Sequence, residues 1–386
     1  MVLILNLSNN LGGGGLQVAL SVLEECKKIS EHTYHVFLGE NVQKQIKLDS
    51  FPCFFTFYQI PYMTIYKMRQ MYTYFKTLEK QINPDCVFTV FGPTYWKPRV
   101  PHLMGFAYGH YIYRDYAFIK RVSIIYKIRS YLREWIHLYL FKYQADRIVV
   151  ETEDAKERLS KKLKIDSGSI NVVSNTCSVH YSHIIPYPNK LPNRKEYEIR
   201  LISISKYYLN KNLESIPKVL YELAKRGINQ VNFVLTIKHD IYNKIIPEKW
   251  RHRVYNVGHV PVIECPSLYN ECDIVYLPTL LEIFSASYPE AMAMGKPILT
   301  SDLSFARNIC KDAALYFDPF NISDITDNIE RIIFDKDLYQ ACVDRGRERL
   351  KMFPTSEQRV ERYLEICKNM VSIKSLEYIQ FSETIP

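Results

Sequence analysis

Nine cysteines, at positions 26, 53, 86, 177, 265, 272, 310, 342 and 367, include no Cys-x-x-Cys pair, and their number is odd. The sequence therefore lacks both a disulfide framework and a zinc-site spacing, and a reducing cytosol is the expected compartment. It also lacks any stretch of 18 apolar residues, so the chain is not expected to span a bilayer. Residues 1 to 23 carry no charged side chain, yet there is no basic leader, and Asn9, Asn10 and Gly12 to Gly15 interrupt the apolar run. The segment is therefore expected to be a buried strand, a turn and a helix rather than a signal peptide. No internal repeat or low-complexity tract is present.

What is there is enough for two cores. A chain of 386 residues exceeds the size at which one core stops growing, and 47% of it is hydrophobic. The net charge is +9, with 30 Tyr and 19 Phe, which fits a partner bearing phosphates or an anionic membrane surface rather than a cationic one.

Val2 to Leu7 is an apolar run suited to a parallel strand, followed by the glycine turn and a helical pattern over Leu16 to Lys28. Short apolar runs recur at Val36 to Leu38, Cys86 to Val90, His102 to Ala107, Arg147 to Val150 and Ile170 to Ser174. Three prolines between Ile185 and Arg194 predict an interdomain linker. Alternation then restarts, with strands at Ile199 to Ile204, Asn232 to Ile237, Val254 to Val257, Ile274 to Leu277 and Pro297 to Thr300, and a helix over Leu213 to Lys225 with Gly227 just beyond it. Thr355-Ser-Glu-Gln358 forms a capping box that opens a helix running to about Met370. The expected class is α/β, with two doubly wound domains.

The segment Glu282-Ile-Phe-Ser-Ala-Ser-Tyr-Pro-Glu290-Ala-Met-Ala-Met-Gly295-Lys-Pro297 lies between two predicted strands, where open parallel sheets bind ligands. Ser287, Pro289 and Gly295 bracket a short helix whose amides near Ser285 to Ser287 can receive a diphosphate or a sugar hydroxyl. Glu282 falls before that helix and Glu290 in its first turn. Taken as residues alone, Ser287-x-x-Glu290 reads first as a helix cap, Glu282 as an ordinary surface carboxylate, and Lys206 with Lys211 as a solvated loop.

The whole string resembles the motif of the retaining glycosyltransferases of family 4, the group 1 transferases: two Glu separated by seven residues, then Ala-Met-Ala-x-Gly-x-Pro. The resemblance extends to Val257-Gly-His-Val-Pro261, to Leu268-Tyr-Asn-Glu-Cys-Asp-Ile-Val-Tyr-Leu-Pro278, and to Ser205-Lys206 and Lys211. It implies a GT-B fold, two Rossmann-like domains facing across a cleft: residues 1–188 for the acceptor, 189–354 for the donor, and 355–386 as a helix returning to the first domain. It also implies that Lys206 and Lys211 bind the donor diphosphate. The first of these replaces the family's Arg, keeping a charge and losing a bidentate fork. Glu290 would bind the ribose; Glu282 and the amides of Phe284, Ser285, Ala286 and Ser287 the donor sugar; and Gly258 and His259 would lie by the base. Ser285 and Ser287 stand where the family has Gly and Pro.

In the first half, Gln17 and Val18 break a dinucleotide fingerprint begun at Gly12 or Gly13, so the residues alone read as a tight turn. The resemblance has Gly14 and Gly15 approaching the donor phosphate, and His110 contacting the sugar, where the residue alone is as readily structural. Asn175 stands at the family's domain-exit turn and reads as structural. Residues 118 to 142 carry six Lys or Arg against one Glu, interleaved with aromatic and aliphatic residues. This fits a helix on an anionic membrane or one with a solvated basic face. No nucleic-acid module accompanies it.

The resemblance thus implies a metal-independent transferase. It would move a hexose, with retention, from a UDP- or GDP-sugar to a hydroxyl of a glycan or lipid-linked acceptor, during surface polysaccharide or glycolipid synthesis. No cofactor is expected, and the place would be the cytoplasm, with peripheral contact at the inner face of the membrane. The only Asp-x-Asp, Asp335-Lys-Asp337, lies between helical patterns, away from any strand end where a metal-dependent transferase needs it. A nucleotide-sugar epimerase and an inactive binding subunit of the same fold are the rival readings.

Overall fold

The computed structural model describes residues 1–9, 12–61, 68–113 and 123–383. The described chain divides into two compact units. One comprises residues up to 112, those from 123 to 175 and those from 354 onward; the other comprises Tyr113 and residues 176–353. The border near Asn175 lies before the expected one at 188.

In the first unit, strands β1 (Val2–Leu7), β2 (Thr33–Leu38), β3 (Phe55–Gln59), β4 (Cys86–Thr89), β5 (His102–Gly105), β6 (Arg147–Val150) and β7 (Ile170–Val172) form one sheet in the order β3-β2-β1-β4-β5-β6-β7. Every neighbouring pair is parallel. Its helices are α1 (Gly13–Cys26), α2 (Glu40–Gln43), α3 (Met68–Ile82), α4 (Gly109–Ile112), α5 (Ile124–Gln144) and α6 (Glu153–Leu163).

The second unit holds β8 (Ile199–Ser203), β9 (Val231–Leu235), β10 (Val254–Asn256), β11 (Ile274–Leu277), β12 (Ile298–Ser301) and β13 (Ala314–Phe317), in the order β10-β9-β8-β11-β12-β13, again parallel throughout. Helices α7 (Ile216–Lys225), α8 (His239–Ile245), α9 (Cys265–Asn270), α10 (Ser287–Ala293), α11 (Ser304–Cys310), α12 (Ile322–Phe334) and α13 (Lys336–Leu350) connect them. Helix α14 (Ser356–Glu383) then belongs to the first unit.

The central strands are mostly apolar because helices cover both faces of a parallel sheet; every residue of β4, β5, β9, β11 and β12 is buried. The two strands absent from the expected set, β3 and β13, are both edge strands. There one flank is unpaired and burial is only partial: β3 is interrupted by Thr56 and Gln59, and β13 is a run of only four residues, Ala314–Phe317.

Two expectations about segments are altered. The proline-rich stretch at 185–194 is held against the second unit: Tyr187 N donates to Ser267 Oγ (3.0 Å), the amides of Lys190 and Leu191 donate to the Glu271 carboxylate, and Arg194 pairs with Asp273 (2.8 Å). The capping box at Thr355 forms, with Gln358 N donating to Thr355 Oγ1 (3.1 Å) and Thr355 N to Gln358 Oε1 (2.9 Å), but its helix runs to Glu383 rather than Met370. Val360, Tyr363, Leu364 and Cys367 of α14 complete the core between β1, β4 and α1. The buried Arg359 guanidinium donates to Asn175 Oδ1 and to Ser21 Oγ (2.8 Å).

Candidate functional site

In the second sheet the chain leaves β8 toward β9 on one side and leaves β11 toward β12 on the other. The loops at the carboxyl ends of these neighbouring strands therefore diverge, which opens a crevice at the switch of strand order. Backbone and side-chain hydrogen bonds staple the two loops together. Leu280 N donates to Asn210 O (2.7 Å), and Asn210 Nδ2 donates to Leu281 O (2.8 Å). Asn212 takes the left-handed conformation (φ 55°) that Asn tolerates better than most residues, and its amide donates to Pro319 O (3.3 Å). Between these staples Lys211 is pressed against Glu282 in a short ion pair, with side-chain exposures of 15% and 18%. Such a cation, fixed and largely withdrawn from water, is suited to stabilising charge that grows on a leaving phosphate.

Helix α10 removes the capping explanation for Glu290. Ser287 is already the first helical residue, no side chain caps the turn, and the Glu290 amide donates to Ala286 O (3.0 Å). The Glu290 carboxyl reaches two phenols instead: Tyr269 Oη donates to its Oε2 at 3.4 Å, and the Tyr181 hydroxyl is a second partner. The two rings meet edge-on at 5.8 Å. Burial pushes the Glu290 carboxyl up to about 7, while the phenols and Lys211 pull the other way. Burial, with the Glu290 charge second, also raises the Cys177 thiol and lifts Cys265 to about 12. Glu290 is thus a carboxyl with free acceptor capacity in a poorly hydrated corner, poised near neutrality.

The remaining expected residues fall into three groups. Phe284 and Ser285 are buried, Ala286 and Ser287 half-buried, and all four lead into α10 beside Glu282; Tyr288 N to Ser285 O (3.2 Å) is a backbone bond at the helix start. Gly258, at φ 72°, turns the chain just past β10, and His259 follows exposed, at the same sheet edge as the crevice. Lys206 is exposed, its ammonium 5.6 Å from the Tyr208 ring, and does not share the Lys211–Glu282 pair. Gly14 (exposed), Gly15 and His110 belong to the first unit; His110 lies in α4 with its ring 4.2 Å from that of Tyr111. Of the residues expected on sequence, the fold brings Lys211, Glu282, Glu290 and the 284–287 turn together within one unit.

Asn210, Asn212, Tyr181 and Tyr269 were not expected there. Tyr269 lies inside a string that carries the family resemblance, whereas Tyr181 is 109 positions from Glu290 and no local pattern marks it.

Residues 189–349 match the family model of glycosyl transferases group 1. Among curated proteins the chain is similar to the O-antigen chain mannosyltransferase RfbU of Salmonella typhimurium, 22% identical over 198 residues, which are 49% of this chain and 52% of that one. The match thus spans about half the length of that relative. Among solved structures it is similar to sucrose-phosphate synthase from Thermosynechococcus elongatus (TM-score 0.71, 13% identity, covering 97% of this chain and 100% of that one). It is likewise similar to Anabaena HepE, solved in complex with UDP and glucose (TM-score 0.67, 12% identity, 96% and 100%). At such identities the solved structures establish the fold, two Rossmann-like parallel-sheet domains of the GT-B type.

Proposed function

We propose that the chain is a glycosyltransferase that moves a hexosyl group, with retention and without a metal, from a UDP- or GDP-sugar to a hydroxyl of a glycan or lipid-linked acceptor. The observation that carries this reading is the stapled Lys211–Glu282 pair at the switch of the second sheet, with Glu290 of α10 beside it. The group 1 match over 189–349, a mannosyltransferase of O-antigen chains among the relatives, and a GT-B structure solved with UDP and glucose support it.

The roles follow from charge and position. Lys211, joined by the mobile-stemmed Lys206, stabilises the diphosphate as the glycosidic bond to it breaks, so fixed cations do the work otherwise done by a metal. The amides of 285 to 287 add donors. Glu282 accepts from sugar hydroxyls, and Glu290 accepts from the ribose. The base lies along Gly258 and His259. Product enters a surface polysaccharide or glycolipid.

The test is to incubate purified protein with a panel of UDP- and GDP-sugars and glycan or lipid-linked acceptors. Acceptor-dependent release of nucleoside diphosphate, with an axial or equatorial anomeric proton matching that of the donor by NMR, is expected. Isomerised donor without transfer would make it an epimerase, and silence with every donor would overturn the assignment.

A further inference from the structure

Helix α5 buries one side and leaves its opposite side in water, and that opposite side is apolar. At 100° per residue, Ile124, Ile128, Tyr131, Leu132, Trp135 and Tyr139 fall within an arc of about 100°, a row of about 22 Å. All are exposed, Ile128 at 66%, Leu132 at 64% and Trp135 at 65%. The inward side is formed by Glu134, His137, Leu140 and Phe141, which are buried. An exposed apolar row of this length marks a surface that meets something other than water.

Charge identifies the partner. Lys127 and Arg129 flank the row, and Lys142 stands at its far end with its ammonium 5.9 Å from the Tyr143 ring. The one acid of the helix, Glu134, is turned inward and paired with Lys162 at 2.9 Å, so the outward face of α5 carries cations only. A second copy of this face would bring those cations against their own kind, whereas an anionic bilayer surface complements them. Aromatic rings suit the headgroup boundary: Trp135 stacks toward Tyr139 (6.3 Å) and Tyr139 packs on Tyr143 (4.5 Å). Among the described residues no helix is long and apolar enough to cross a membrane, which leaves lying in its plane.

We propose that α5 is an interfacial helix that docks the protein on an anionic lipid surface, its apolar row entering the acyl boundary and its basic borders meeting the headgroups. The expected stretch at 118–142 is thereby sharpened to Ile124–Gln144, residues 118–122 lying outside the described residues. The proposal holds whether or not the chain transfers sugar.

Vesicle co-sedimentation with the full chain tests it, using vesicles that contain phosphatidylglycerol and vesicles of phosphatidylcholine alone. Of the three tryptophans, Trp96 is fully buried and Trp250 partly covered, so a fluorescence shift reports mainly Trp135. Partition to the anionic vesicles with a blue shift, weakened by salt, is expected. Ile128→Asp with Leu132→Asp should abolish it, and Lys127→Glu with Arg129→Glu should reduce it about 10-fold or more, both with an unchanged melting temperature. Absence of partition, or equal partition to both vesicles that the double aspartate variant retains, overturns the proposal. So does light scattering that shows a wild-type dimer which the aspartate variant dissociates, since the face would then belong to a second copy.

Discussion

At the strand-order switch of the first sheet, between β1 and β4, stand Asn6, Ser8 and Thr89; at the equivalent place in the second, between β8 and β11, stand Lys211, Glu282 and, on the following helix, Glu290. The first set is neutral and self-satisfied. Asn6 Nδ2 donates to Thr89 Oγ1 (3.3 Å), Ser8 Oγ donates to Asn6 Oδ1 (2.7 Å), and Thr89 meets His102 Nε2 at 2.9 Å. Burial holds His102 down at about 4, so its ring is neutral, with Nδ1 facing Gln144 O at 2.8 Å. The second set holds an ion pair, Lys211 with Glu282, and beside it the buried Glu290 carboxyl. Two crevices made by the same topology therefore differ in what they can bind, and the difference lies in side chains rather than in fold.

The contrast can be broken most sharply at Glu282. Replacing it by Gln removes the partner of Lys211 without removing the cation, so transfer measured as kcat/KM should fall about 10²–10³-fold while UDP or GDP affinity is kept. Loss of nucleotide affinity along with activity would assign Glu282 to the fold of the loop instead.

The first unit should fail in the opposite manner. Arg359→Ala removes the buried guanidinium that ties α14 to Asn175 and Ser21, with an expected loss of about 3 kcal/mol in denaturant unfolding and little change in nucleotide affinity. A nucleotide-binding defect without destabilisation would contradict that division of labour.

A smaller effect comes from pH. In the nucleotide-free fold the Glu290 carboxyl keeps its proton up to about 7, whereas its ordinary value is 4.5. Between these values the folded state holds more protons than the unfolded one, so this group's contribution is fully present below pH 4.5 and is lost as pH rises through about 7. Thermal melts of the wild type should lose on the order of 1–2 kcal/mol across that window relative to Glu290→Gln. A flat difference between the two curves would show that the corner is well hydrated.

The same contrast explains what was legible in the sequence. The second site could be read because Glu282, the α10 turn and Glu290 are contiguous, and because their spacing has one motif to resemble. The inner strands could be read because burial on both faces leaves apolar runs, as in Ile274–Leu277, while the edge strands β3 and β13 could not. The supports of the site were illegible for a different reason. Asn210 acts through its backbone and amide on residues 70 positions away, and Tyr181 reaches Glu290 only after α9 and β11 have packed, so neither leaves a local pattern. The cap at Ser287 was a correct spacing with the wrong outcome: the helix begins one residue too early for Ser287 to cap it, and the Glu290 carboxyl is drawn to the phenols.

Calorimetric titration of UDP and GDP into the wild-type protein and Lys211→Ala tests the central claim most directly. The account predicts that at least one of the two nucleotides binds the wild type and that its affinity falls about 10-fold or more in the variant, the loss of one charge-assisted contact to phosphate. Binding of equal strength to both proteins, or to neither, would contradict it.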